Sequence, residues 1–210
     1  MPSGIFITFE GIECCGKSTQ LSLLAKWLTE RGHHVLTTRE PGGTSLGENI
    51  RSLLNSGRKE DCFSVRAELL LFEASRAQHM EEKILPALEK GFIVLCDRFT
   101  DSTLVYQGVA RHIPQEIILS LNAFASFERS PDITFLPDIS VEESFQRLSR
   151  RGAPPDRFEQ ENRAFFEQVR AGYLEEARQH PRFVLLPGEL STEVISQKII
   201  YELQQRFPAI

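Results

Sequence analysis

The 210-residue sequence predicts an α/β fold of three layers, a five-stranded parallel sheet with helices on both faces. Three observations predict it. Short apolar runs at residues 5–9, 35–38, 92–96, 133–136 and 183–186 are separated by longer stretches with helical spacing. The runs are continuous rather than alternating, as in strands buried on both sides. Between the first run and the first helical stripe lies GIECCGKS, an intact G-x-x-x-x-G-K-[ST].

The first run ends in Glu10 and feeds that loop; Leu21, Leu24, Ala25 and Leu28 follow as a helical stripe. Strand, glycine-rich loop and helix together are the setting of a phosphate-binding P-loop. Backbone N–H groups at such a helix start cradle phosphate oxygens. Gly11, Ile12, Glu13, Cys14, Cys15, Gly16, Lys17, Ser18 and Thr19 are therefore the candidate phosphate-binding residues for a cofactor. Lys17 supplies a charge toward the outer phosphates and Ser18 a hydroxyl for Mg²⁺. Cys14 occupies a loop position where glycine is common because the backbone there favours positive φ. Thiols at a helix start beside Lys17 are expected to have a lowered pKa, so that alkylation inactivates and ATP protects.

The second run leads into Arg39 and the stretch REPGG. Leu70, Ala74, Ala77 and Ile84 then predict a second helix with that stripe inward. Phe72 and Arg76, four apart, face the same way on it. A ring beside a guanidinium suits a flat base, although on spacing alone a core phenylalanine next to a surface arginine is the simpler account. The third run delivers Asp97 and Arg98. The aspartate suits Mg²⁺ or its water, and the arginine suits an acceptor phosphate held bidentately; an ion pair between strand end and helix explains the same two residues. Glu10, Arg39, Asp97 and Arg98 all fall at the carboxyl edge of the sheet, where ligands bind in such folds.

Pro137 directly follows the fourth run. Proline cannot donate to a ladder, so this strand is expected to end at Leu136 or to lie at an edge. A helix beginning near Val141 is interrupted by Gly152 and Pro154–Pro155. The surrounding segment, about 147–160, reads either as a solvated loop or as a basic lid over the site. The fifth run and a last helix complete a single domain, 1–210.

The net charge of −5 argues against a general nucleic-acid surface, which needs basic excess. No apolar run approaches the ~20 residues of a membrane span, and the N-terminus lacks the layout of a signal peptide. Cysteines 14, 15, 62 and 96 form no C-x-x-C pair, and no histidine stands at zinc-ligand spacing from them. A reduced, zinc-free, cytoplasmic protein is the expectation. No general base stands out; a phosphate acceptor is already anionic and needs none, whereas Glu13 or Asp97 would serve a hydroxyl acceptor.

Taken together, FEGIECCGKSTQ (9–20), TREPGGT (38–44), RAELLLFEASRAQH (66–79), DRFTDSTLVYQG (97–108), PDIT (131–134) and DRFEQ (156–160) resemble the thymidylate kinase family. The resemblance runs from the first strand to the last helices. It implies a P-loop NTPase-type kinase fold, ATP and Mg²⁺ as cofactors, dTMP as acceptor and a homodimer. By the same resemblance, Phe72 looks like the ring that stacks on thymine and Arg76 like the donor to a thymine carbonyl. Arg39, Arg51 and Arg98 look like the acceptor-phosphate clamps. Glu13 matches the position facing the sugar 3′-hydroxyl, Thr103 and Gln107 match base- and sugar-side contacts, and Tyr106 matches the residue that crowds out a ribose 2′-hydroxyl.

Family members differ in the source of their catalytic arginine. Some carry it in the P-loop, where this chain has Cys14; others bring it from the lid. The resemblance thus points to Arg147, Arg150, Arg151 and Arg157, and its lid alignment to Arg151 and Arg157 first. With these, the expected catalytic set is Lys17, Asp97, Arg98, Arg151 and Arg157, with Ser18 and Asp97 on the metal. A nucleoside kinase acting on thymidine and a regulator that has lost catalysis are the alternatives; REPGG with the arginine set opposes the first, and the retained lid arginines oppose the second.

Overall fold

A computed structural model of the chain describes residues 4–55, 63–152 and 154–210. β1 (Ile5–Phe9), β2 (Val35–Arg39), β3 (Ile93–Asp97), β4 (Ile133–Asp138) and β5 (Phe183–Pro187) form where β-branched and aromatic residues cluster. They pair in parallel in the order β2-β3-β1-β4-β5. The chain leaves β1 in both directions across the sheet, so the loop after β1 sits at the point where the strand order reverses.

The connecting helices are α1 (Lys17–Glu30), α2 (Ser45–Asn55), α3 (Val65–His79), α4 (Leu85–Glu89), α5 (Thr100–Thr103), α6 (Gln115–Ala125), α7 (Val141–Arg151), α8 (Arg163–Gln179) and α9 (Thr192–Arg206), with π-helical turns at Met80–Ile84 and Leu104–Ala110. Ser64, Ser140, Asn162 and Ser191 cap α3, α7, α8 and α9 by accepting a backbone N–H three residues on. α1 begins instead at Gly16, in a left-handed conformation with no side-chain cap, which leaves its first N–H groups for a ligand.

Side chains alternate across the sheet with the period of two that a strand imposes. Ile7, Phe9, Leu95, Ile133 and Phe135 point to α1 and α9, meeting Leu24, Leu28, Ile199 and Leu203. Phe6, Val94 and Cys96 point the other way, toward Met80, Ile84 and Phe99. The stripe expected on α1 is the one buried there, with Ala25 packed against its rim.

Two expectations need correction. β4 does not stop at Leu136: Pro137 pairs with Leu186 and Asp138 with Pro187, and β4 is an interior strand. The reason is register. Thr134 and Asp138 bond toward the β5 side and Phe135 toward β1, so Pro137 faces the β1 side, where the ladder has already ended at Phe9. No partner loses a donor. On α3, Leu70 is 56% exposed and Ala74 is exposed too, while Glu68, Leu69, Glu73, Ser75, Arg76 and His79 are buried. Ile84 is buried, but as the last residue of a π-turn that shifts the register. The inner face of α3 borders a polar cavity, so polar groups take the buried side.

Candidate active site

The loop after β1 wraps around an ammonium. Lys17 Nζ donates to the carbonyls of Gly11 (3.0 Å) and Ile12 (2.8 Å) and lies 3.7 Å from Cys15 Sγ. Gly11 has φ 130°, and a Cβ there would meet Cys15 Sγ at 2.9 Å, so only glycine fits. Ile12 and Cys15 sink their side chains into the core and offer the loop only backbone. Cys14 has φ 56°, the left-handed conformation expected at its position, at a cost of about 1–2 kcal/mol for a residue with a Cβ. Its thiol departs from expectation: burial pushes its pKa up, and the charges of Arg151 and Lys17 do not offset that. Cys14, Cys15 and Cys96 are free thiols; Cys62 lies outside the described residues.

Ser18 and Asp97 meet across the sheet edge, Ser18 Oγ donating to Asp97 Oδ2 at 2.6 Å. Arg98, the next residue, does not join that pair. Its backbone turns through φ 71°, sending the guanidinium to the opposite side. There Nη1 donates to Gly11 O, Ser102 Oγ and Tyr173 OH, and Nη2 to Glu13 Oε1 at 2.9 Å. Tyr106 OH also donates to the Glu13 carboxylate, at 2.7 and 2.8 Å to its two oxygens. Behind Arg98 sits Glu10, fully buried, accepting from Phe99 N–H, Ser102 Oγ and Tyr173 OH. Burial first, and then the Asp101 charge, raise the Glu10 pKa from 4.5 to about 7.

Three arginines converge nearby. Arg39 pairs with Glu48 at 2.9 Å, and Arg51 donates to Pro41 O at 3.0 Å. Burial lowers the Arg51 pKa, and the charges of Arg39 and then Arg98 lower it further. That mutual repulsion marks a sink for an anion. Arg76, 2% exposed, is held by Glu40, Glu73, Asn122 and Thr103, its two carboxylate partners outweighing burial and raising its pKa. A guanidinium has five N–H donors; these bonds occupy four of them, and Arg76 and Phe72 line the same cavity. Glu40 is steadied by His79, which also meets Thr38 Oγ1 at 2.6 Å. A Cβ on Gly43 would strike His79, so REPGG packs directly onto α3.

These groups line one cavity of about 310 Å³: Glu13, Cys14, Lys17 and Ser18 from the P-loop, Asp97 and Arg98 from the end of β3, Arg39 and Arg51, and Phe72, Arg76, Thr103, Tyr106 and Gln107. Arg151, the last residue of α7, reaches the cavity and forms a bidentate pair with Glu159, at 2.7 and 2.8 Å. Arg157 does not line it; it bonds Glu68 at 2.6 Å and Leu54 O at 3.0 Å. Arg147 bridges Cys14 O and Gly188 O, and Arg150 reaches only Gln146. Among the described residues no cluster of three or more metal-ligating side chains occurs.

The sequence model of thymidylate kinase matches residues 9–199. The chain belongs to the thymidylate kinase family. A thymidylate kinase of Pseudomonas entomophila is 51% identical over 198 residues, covering 94% of this chain and 93% of that one. One from Chromohalobacter salexigens is 44% identical over 207 residues, covering 98% of each. The crystal structure of thymidylate kinase from Ehrlichia chaffeensis superposes with a TM-score of 0.78 at 35% identity, covering 97% of this chain and all of that one. Within this thymidylate kinase fold, sequence reasoning missed Glu10 as the brace of Arg98, Glu40 as the brace of Arg76, and the lid residues Phe158 and Glu159. Glu10 and Glu40 had a signal, since each closes a strand at the ligand edge. Phe158 stood in the stretch DRFEQ, but its contacts did not show, because its neighbours Phe72 and Tyr106 are remote in sequence.

Proposed function

We propose that the chain is a dTMP kinase, transferring the γ-phosphoryl group of ATP to the phosphate of dTMP to give dTDP and ADP. The observation that carries this reading is the set Arg39, Arg51 and Arg98, lining one cavity together with the P-loop residues and with Phe72 and Arg76. Three convergent cations call for a charged acceptor, and a flat slot beside them calls for its base.

An oxygen of the acceptor phosphate attacks the γ-phosphorus while the bond to the β,γ-bridging oxygen breaks and ADP departs. The acceptor is already an anion, so positioning and charge stabilisation carry the step. Lys17 exchanges its carbonyl partners for phosphate oxygens, and Arg39, Arg51 and Arg98 hold the acceptor in line. Phe72 stacks on thymine, the spare Arg76 donor meets a base carbonyl, and Thr103 and Gln107 border base and sugar. Glu13 receives the 3′-hydroxyl, and the Tyr106 ring fills the space a 2′-hydroxyl would need. Arg151, which also lines the cavity, is the lid residue assigned to the transferring group.

Ser18 Oγ and Asp97 Oδ2, 2.6 Å apart at the end of β3, are a hard-oxygen pair that fits Mg²⁺. Held by these two residues, the ion would supply charge neutralisation for the transferring phosphoryl group.

A homodimer accords with the outward apolar residues of two neighbouring helices, Leu70 on α3 and Ile117 and Phe124 (84% exposed) on α6. We place the enzyme in the cytoplasm, acting on free nucleotides; no helix among the described residues is long and apolar enough to cross a membrane. A coupled ADP-release assay with dTMP, dUMP and thymidine tests the reading. Turnover with dTMP and little with thymidine is expected; strong turnover of thymidine with none of dTMP overturns it.

A further inference from the structure

Two stretches that sequence analysis singled out meet at a carboxylate with no role in the chemistry above. Glu68, on the first turn of α3, is 2% exposed. Its Oε2 accepts from Arg157 of the lid at 2.6 Å, and its Oε1 accepts from Gln107 Nε2 at 2.9 Å. Arg111 stands 3.6 Å from Oε1 and pairs at 2.6 Å with Glu161, where the lid returns to α8. Two carboxylates and two guanidinium groups balance in charge, so each is compensated despite burial.

The same contact seats the rest of the lid. Arg157 Nε also donates to Leu54 O at the end of α2, and its guanidinium lies 4.5 Å over the Phe158 ring. Phe158 in turn sets its ring edge against Phe72, at 5.7 Å between centroids, and near Tyr106, at 6.3 Å. Thus this stretch of the lid rests against Phe72 and Tyr106 of the cavity. Arg151, held by the neighbouring Glu159 at 2.7 and 2.8 Å, lines the same cavity near Cys14.

We propose that Glu68 is a positioning residue, the anchor that fixes the lid through Arg157 and shares its carboxylate with Gln107, so that delivery of Arg151 depends on an ordered nucleoside pocket. This rests on the dTMP kinase reading. Arg157 on this account acts on the lid rather than on the phosphates. Loss of the Glu68 charge leaves Arg157 without its buried partner, frees the lid end, and loosens Gln107 with the same change. Because Arg151 acts on the transferring group, the loss falls on kcat; because Gln107 borders the nucleoside, it falls also on the KM for dTMP. The ATP site keeps all its own contacts.

The experiment compares the full chain with Glu68→Gln, Arg157→Gln, Arg157→Lys and the double variant Glu68→Gln/Arg157→Gln, varying dTMP and ATP in turn and recording a thermal melt for each. Glu68→Gln is expected to lower kcat about 10- to 100-fold and raise the KM for dTMP, with the KM for ATP within about twofold. Arg157→Gln should lower kcat comparably, Arg157→Lys should recover much of it, and the double variant should be no worse than the worse single one. A Glu68→Gln enzyme with parental kcat, or losses that multiply in the double variant, overturns the anchor. Should Glu68→Gln fail to fold, the Arg157 pair decides: a raised KM for ATP in Arg157→Gln with no change for dTMP would put that arginine on the phosphates and refute the proposal. A parent enzyme inactive on dTMP would instead refute the kinase reading, before any variant is compared.

Discussion

At the scale of single residues, Arg98 combines a left-handed backbone with a guanidinium that reaches the P-loop carbonyl, two hydroxyls and the Glu13 carboxylate. Strain of this kind persists where surrounding contacts over-determine it, here the Glu10–Ser102–Tyr173 brace. A lysine would keep the charge and lose the fork that spans those partners. Arg98→Lys should therefore lower kcat/KM for dTMP about 100-fold, the scale of one preorganised donor, while the KM for ATP stays near parental; steady-state kinetics with each substrate varied checks it. Cys14 teaches a different lesson at this scale. Its unusual backbone follows from its place in the loop, but its thiol answers to burial, which spacing along the chain does not report.

At the scale of elements, α3 turns a polar face inward and an apolar one outward. If the outward residues of α3 and α6 form a dimer surface, Phe124→Glu should yield monomer in sedimentation velocity. Its melting temperature should no longer depend on protein concentration, because the association contribution is lost, while the exposed site itself contributes within about ±0.5 kcal/mol to folding. Leu24→Ala on α1 should behave oppositely, costing about 2–5 kcal/mol in chemical denaturation, because Leu24 is buried among sheet residues. These two helices also show what was legible. The α1 stripe and the P-loop before it depend on near neighbours, so local periodicity displays them. The α3 face, the passage of β4 through Pro137 and the Glu68–Arg157 contact depend on elements brought together only by folding, and the last pair is 89 residues apart.

At the scale of the whole molecule, Glu10 couples the site to folding. Its folded pKa of about 7 lies above the ordinary 4.5, so the native state keeps a proton that the unfolded chain releases. The stabilisation is complete below pH 4.5 and is lost as pH rises through 7, on the order of 3 kcal/mol. Denaturant titrations from pH 5 to 8 should show the parent losing stability across that window and Glu10→Gln lacking this component; parallel curves would contradict it. The sheet edge holds a second consequence, in the adjacency of Asp97 and Arg98. In the proposed reaction the cation side and the acceptor side would hang from consecutive residues whose side chains face apart, and consecutive Cα atoms across a trans peptide stand about 3.8 Å apart. A single covalent link therefore fixes the backbone origins of these two groups, and only rotation of their own side chains can change the distance between carboxylate and guanidinium.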